Sequence, residues 1–383
     1  MPATVLRIAS IVLPSIAIVV VGLLLLWPPP EPVTLTDRIE RIPADLFERP
    51  PLSDRITLGT RAEVEERRER LQRFVFGRAG LPRALPTVER DVEDDEFVDE
   101  LENLERIDRL TIALPVDFTS VAYHVIPKRS NGGLLLYHNG HGQDFLDGKA
   151  TVAHFLERGW TLLVFAMPYD GFNTNPDTRE TRCGRVELAW AGDGAEHDTL
   201  ACLLQQPLRY FLEPVAVGLN YASGLGYERT VMVGLSGGGW TTAAYAALDP
   251  RVQRSYPVAG SRPLHVSAHI CRGETPEAFV RCFGDIEHRL PAFYRIANYL
   301  ELYALGALGL GRGQLAIYNV YDSCCFSGRS FEEWRGRVRD AVRRLGCGAY
   351  DAVGDTTHRR HRISPWALDV IESDLARPPT PCG

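Results

Sequence analysis

The stretch Arg229 to Ala247 (RTVMVGLSGGGWTTAAYAA) constrains the fold more than any other part of this chain. It runs from a β-branched apolar segment, through Gly234-Leu235-Ser236-Gly237-Gly238, into an alanine-rich helical segment. The glycine-serine pentapeptide therefore falls at a strand-to-helix junction. So sharp a turn strains the backbone of its central residue and presses its neighbours against adjacent chain, where glycine avoids a clash. The following helix would turn its first amides and its positive dipole end toward any oxyanion forming beside Ser236. That setting suits a nucleophile. The bland alternative is a glycine-rich tight turn, or a phosphate-cradling loop without its usual lysine.

From about Arg109 onward, short apolar runs alternate with helix-like segments, the pattern of a mostly parallel sheet covered on both faces. Eight strands are expected: Arg109–Leu114, Ser120–Ile126, Gly133–His138, Thr161–Met167, Thr230–Gly234, Tyr256–Gly260, Leu315–Tyr321 and Tyr350–Val353. The first two are closely joined and read as an antiparallel pair; the later ones leave room for crossover helices such as Pro207–Ser223. Residues 262–314 exceed what one crossover needs and are read as a cap. Within them, Phe293 to Leu310 is apolar enough to roof an acyl pocket or to form an ordinary buried helix.

Ile8 to Trp27 is an uncharged run of about 20 residues, long enough to cross a bilayer. It ends in Leu-Leu-Leu-Leu-Trp-Pro-Pro-Pro and not in small residues, which favours an uncleaved anchor over a signal peptide. The expected division is a transmembrane signal anchor over 1–30, a linker and helical extension over 31–105, and a catalytic domain over 106–383. Before the catalytic domain come a proline-rich spacer (28–51), a charged helix over Arg61–Phe76 with an apolar stripe through Val64, Leu71, Phe74 and Val75, and an acidic run, Asp91–Glu102, read as solvated. The expected setting is a single-pass membrane protein with its domain outside the cytoplasm. Eight cysteines suit disulfides in an exported domain, and proximity suggests Cys183 with Cys202 and Cys271 with Cys282. No cysteine pair has the two-residue spacing of a structural zinc site. A net charge of -7 argues against a nucleic-acid partner.

The motif and the strand order together resemble the α/β-hydrolase superfamily over about Arg109 to Leu375. That resemblance implies a triad in the order Ser, Asp, His. Leu315–Tyr321 ends at Asp322, and Asp355-Thr-Thr-His-Arg-Arg-His361 precedes a terminal helix over Ile363–Leu375. His361 would remove the proton of Ser236, and Asp322 would fix its tautomer. His358 competes with His361 as base, and Asp351 and Asp355 compete with Asp322 as acid. The oxyanion hole would use the amide of Gly237 and one from the loop Tyr137-His138-Asn139-Gly140-His141-Gly142-Gln143, supplied by His141 or Gly142. Met167-Pro-Tyr-Asp-Gly171 would form another wall. The implied function is a serine hydrolase cleaving a small-molecule carboxylic ester or related acyl bond, with no cofactor and no metal. Peptidase, thioesterase or lipase activity would use the same triad. A metal-dependent hydrolase built on His138 and His141 or on His358 and His361, and a non-catalytic binding module, are the readings from other classes.

Overall fold

Strands buried on both faces need two cores, and the alternation in this chain supplies them. The computed structural model describes residues 40–93, 101–142, 146–173, 177–188, 197–270, 275, 278–279 and 283–378. Among the described residues eleven strands are found: β1 (Thr87–Glu89), β2 (Leu104–Leu114), β3 (Phe118–Pro127), β4 (Gly133–His138), β5 (Thr161–Phe165), β6 (Asp177–Thr181), β7 (Gly184–Leu188), β8 (Arg229–Leu235), β9 (Arg254–Val258), β10 (Gly313–Asn319) and β11 (Ala349–Asp355). Nine of them form one sheet in the order β1-β2-β3-β5-β4-β8-β9-β10-β11, while β6 and β7 pair separately. Pairing is antiparallel from β1 to β5 across the first edge and parallel from β5 through β4, β8, β9 and β10 to β11.

Every residue of β4 and β5 is buried. Successive side chains point to opposite faces. Leu134, Leu136, Leu163 and Phe165 join a core built with the helices Arg61–Phe76, Arg209–Ser223, Gly237–Leu248, Tyr299–Ala307 and Glu332–Leu345. Leu135, Tyr137, Leu162 and Val164 join the other core, with Leu146–Glu157 and Pro365–Leu375.

All eight expected strands are present, with β2 and β3 antiparallel, but the large sheet has nine strands and not eight. The addition, β1, is a short, half-exposed edge strand of three residues, too brief for a period of two to show. The helix expected over Arg61–Phe76 forms with those bounds, closed by a capping box between Thr60 and Glu63. The spacer is a correction: Ile42 and Leu46 are buried, and Leu46 O accepts from Arg289 Nη1 at 2.5 Å. By residue 42 the chain is packed on the domain and is not a free tether. The apolar segment Ile8–Trp27 lies outside the described residues, among which no helix is long and apolar enough to cross a membrane.

Residues 262–314 contribute short helices, and in Tyr299–Ala307 all nine residues are buried, packed on the helix Gly237–Leu248. Of the two readings of Phe293–Leu310, the ordinary buried helix is the one observed. Two buried arginines clamp this pair. Arg68 donates to Ala247 O and Leu305 O, and Arg312 donates to Ala246 O, Leu305 O and Leu308 O. Cations at helix C-terminal carbonyls offset the local negative dipole. Burial pulls the Arg312 guanidinium down to about 9.

Cys183 and Cys202 are disulfide-bonded, joining the β6–β7 turn to the short helix Leu200–Leu203. Cys271 and Cys282 lie outside the described residues. Cys324 and Cys325, neighbours in sequence, are also disulfide-bonded.

Candidate active site

The junction between β8 and the helix Gly237–Leu248 places Ser236 at φ 56° and ψ -125°, in the left-handed half of backbone space where residues other than glycine are costly. Its amide donates to Val258 O at 3.0 Å, and its carbonyl accepts from Trp240 N at 2.9 Å. Three glycines make room for the bend. A Cβ on Gly234 would stand 2.1 Å from Gly238 O, one on Gly238 would stand 2.0 Å from His138 O, and one on Gly140 would meet the Ser236 Cβ at 2.5 Å. Ser236 is left 7% exposed.

The obstructions at Gly238 are backbone atoms and cannot swing aside. Gly238→Ala is therefore expected to destabilise the domain by about 3 kcal/mol, at the upper end of overpacking costs. Gly336 lies inside the helix Glu332–Leu345 with nothing within 4 Å of its added Cβ, so Gly336→Ala is expected to stabilise by about 0.5–1 kcal/mol. Urea midpoints of the two variants, moving in opposite directions from the parent, check both.

At the C-terminal ends of β10 and β11 two histidine-carboxylate pairs stand side by side. His361 Nδ1 donates to Asp322 Oδ2 at 2.6 Å, and Asp322 Oδ1 accepts from the Cys324 amide at 2.8 Å. Burial raises the Asp322 carboxyl, but its bonds from His361 and the Cys324 amide outweigh this and hold it below its ordinary range. The carboxylate can only accept, so the proton of the neutral His361 ring sits on Nδ1. Its Nε2 is buried and has no hydrogen-bond partner among the described residues.

His358 is arranged differently. Its Nε2 donates to Asp355 Oδ2 at 3.1 Å and its Nδ1 accepts from the Arg360 amide at 3.1 Å, so both ring nitrogens are engaged. Asp355 also accepts from Thr357 N, Thr357 Oγ1 and Ser364 Oγ. Asp351 is paired with Arg335 and Arg339. Of the competing residues, only the pair Asp322 and His361 leaves an imidazole nitrogen open.

The loop after β4 contributes next. His141 packs on Gly237: a Cβ there would lie 2.6 Å from His141 Cε1 and 2.6 Å from Met167 Cε. Met167 thus lines the junction, as expected of the segment after β5. The Gly142 amide donates to Asp170 Oδ2 at 3.2 Å, so that amide is already engaged.

Behind this loop lies a group that the linear sequence does not announce. His141 Nε2 is 3.2 Å from His197 Nδ1, 3.0 Å from Glu287 Oε1 and 3.5 Å from Asp285 Oδ2. His197 Nδ1 is 3.1 Å from Asp285 Oδ2 and 3.6 Å from Glu287 Oε2. Burial alone would lower both imidazoles, but the two carboxylates reverse this, raising His141 to about 10 and His197 well above its ordinary value. His197, Asp285 and Glu287 come from segments 56 to 146 positions beyond His141, so no local motif could reveal them. Of the H-x-x-H histidines, only His141 joins the group; His138 is buried with its Nδ1 2.8 Å from Asn139 O.

A cavity of about 680 Å³ lies at the opposite end of the sheet, against Gln314, Ala349 and Tyr350 at the starts of β10 and β11. Ligands of open parallel sheets bind beyond the strands' C-terminal ends, where Ser236, Asp322 and His361 are.

No family model matches the chain, and no curated protein matches it in sequence. Solved structures do match. A protein from Bacteroides fragilis, provisionally named an acetyl xylan esterase, aligns over 91% of this chain and 96% of its own with a TM-score of 0.61 at 12% identity. A methylesterase aligns over 82% of this chain and 62% of its own with a TM-score of 0.52 at 13% identity. The chain has the α/β-hydrolase fold, with its mostly parallel sheet and its helices on both faces.

Proposed function

We propose that this chain is a serine hydrolase that cleaves a carboxylic ester or related acyl bond through an acyl-enzyme on Ser236. The observation that carries the reading is the Asp322–His361 pair. Its 2.6 Å bond fixes the proton on Nδ1 and leaves Nε2 as a buried base, at the same C-terminal end of the parallel strands as the strained serine. In this mechanism His361 Nε2 takes the Ser236 proton as Oγ attacks the acyl carbon, and then returns it to the leaving alkoxide. Water enters, gives its proton to the same nitrogen, and attacks the acyl-enzyme; the acid leaves and Ser236 recovers its proton. Asp322, held as a carboxylate, stabilises the transient imidazolium.

The Gly237 amide, first in the helix and without an intrahelical acceptor, serves the oxyanion, joined by the amide of His141. Gly142 is less suited, since its amide already donates to Asp170. That two structural neighbours are named as an acetyl xylan esterase and a methylesterase supports an ester as the substrate, and a small-molecule ester is the substrate proposed. The membrane anchor over residues 1–30 and an extracytoplasmic setting belong to the proposal on the sequence alone.

The experiment is covalent labelling of the full-length chain with a fluorophosphonate, followed by peptide mapping, beside hydrolysis of p-nitrophenyl esters of rising chain length. Label on the Ser236 peptide together with turnover of the short esters is expected. A folded protein that takes no label and hydrolyses none of the esters would sink the proposal.

A further inference from the structure

We propose that His141, His197, Asp285 and Glu287 form a binding site for one divalent transition-metal ion, zinc by its donor set, that fixes the loop after β4 against the Ser236 turn. None of its ligands belongs to the Ser236, Asp322 and His361 group, but one of them, His141, is the residue whose backbone amide the proposed hydrolysis places in the oxyanion hole, so the ion would act on that chemistry only by holding this loop.

Geometry comes first. One donor atom from each residue falls within 4.8 Å of the other three. His141 Nε2 and His197 Nδ1 stand 3.2 Å apart, Asp285 Oδ2 lies 3.5 and 3.1 Å from them, and Glu287 brings Oε1 to 3.0 Å from the first and Oε2 to 3.6 Å from the second. Four ligands at zinc distances of about 2.0–2.1 Å, arranged tetrahedrally, stand about 3.3 Å apart, within that spread. Four donors, two imidazoles and two carboxylates, suit zinc better than magnesium or calcium, which favour all-oxygen shells of six or more ligands.

The second observation is the state of Glu287. The residue is fully buried, and neither of its carboxylate oxygens accepts a hydrogen bond among the described residues, although His141 Nε2 stands 3.0 Å from one of them. Close approach without donor geometry is what ligands show when they converge on a third atom. Three imidazoles, of His141, His197 and His288, stand 3.0–3.6 Å from the Glu287 oxygens, yet a buried carboxylate that accepts no hydrogen bond is costly.

The surrounding contacts prepare the donors. His197 Nε2 donates to Pro168 O at 2.8 Å, which in the neutral ring leaves the Nδ1 lone pair facing the other three residues. The fully buried ion pair between Arg289 and Asp198 ties the segment bearing Asp285 and Glu287 to the segment bearing His197. Coordination through His141 Nε2 leaves that ring's proton on Nδ1, the nitrogen lying 2.8 Å from where a Gly237 Cβ would stand. Four protein ligands close the shell, the arrangement of a structural and not a catalytic ion. On binding, the ion takes lone pairs from two neutral imidazoles and two carboxylates, and any imidazolium protons leave to solvent.

The test uses the full-length chain, stripped with a chelator and titrated with zinc sulfate, with bound metal read by elemental analysis and calorimetry and folding by melting temperature. About one zinc per chain, bound with a Kd below about 1 µM and raising the melting temperature, is expected. Stoichiometric cobalt should give the visible absorption of a tetrahedral ion. Asp285→Asn and Glu287→Gln, close in shape to the parent, should each weaken zinc binding by about 100-fold or more, while Ser236→Ala should bind as the parent does. Less than about a tenth of an equivalent on folded parent protein, or undiminished binding in both carboxamide variants, overturns the site. Binding of magnesium or calcium but not zinc overturns the donor-set argument in the same way. The Ser236→Ala result separates this site from the proposed hydrolysis, since either can fail alone.

Discussion

Replacing Ser236 with alanine is expected to lower kcat by about 10⁴- to 10⁶-fold, the loss seen when a nucleophile acting in concert with its base is removed. Fluorophosphonate labelling should vanish with it. Stability should hold or rise slightly, because the bend is built by the surrounding backbone: the glycines at 140, 234 and 238 and the bonds of residue 236 to Val258 and Trp240 stay in place. Measuring kcat beside the melting temperature separates the two effects. An alanine variant retaining more than about a hundredth of the parent rate would show that Ser236 is not the nucleophile.

The second large effect divides two histidines three residues apart. His361→Ala should cost about as much as Ser236→Ala, and the double variant little more, since members of one catalytic unit are not additive. His358→Ala should keep kcat within about tenfold but lower stability by about 1–3 kcal/mol, because it takes a donor from the buried Asp355 carboxylate. The reasoning rests on nitrogen bookkeeping: both ring nitrogens of His358 are occupied, whereas His361 keeps Nε2 open. If the kinetic penalty fell on His358 instead, the assignment of base and acid would have to move to the Asp355 pair.

Much of this was legible in the sequence, for physical reasons that can be named. The strands from Gly133 to Asp355 could be read because parallel strands covered on both faces are continuous apolar runs, and Ser236 because its bend demands glycine at fixed positions. The helix over Arg61–Phe76 was legible from its stripe of Val64, Leu71, Phe74 and Val75, of which Phe74 is half-buried and the other three are buried. What escaped is what sequence distance hides. β1 is too short to show a pattern. The docking of residues 42–60 rests on contacts to partners more than 200 positions away, such as Arg289 for Leu46 and Glu301 for Thr57. The order of the competing pairs near the C-terminus also required coordinates, since Asp322 with His361 and Asp355 with His358 are equally plausible as letters. The group around His141 was the least legible, because Asp285 and Glu287 look like ordinary charges at the start of a short helix until the fold carries them to two histidines.

Asp355 grips both ends of the segment it precedes: Thr357 and His358 on one side, and Ser364, whose hydroxyl caps the terminal helix by accepting from Ala367 N, on the other. Residues 356–364 are thereby closed into a ring, with His361 carried on the rim. Arg359 and Arg360 on that ring point into solvent. Evolution could therefore rewrite those outward positions, altering what charge an incoming molecule meets, while the imidazole keeps its place.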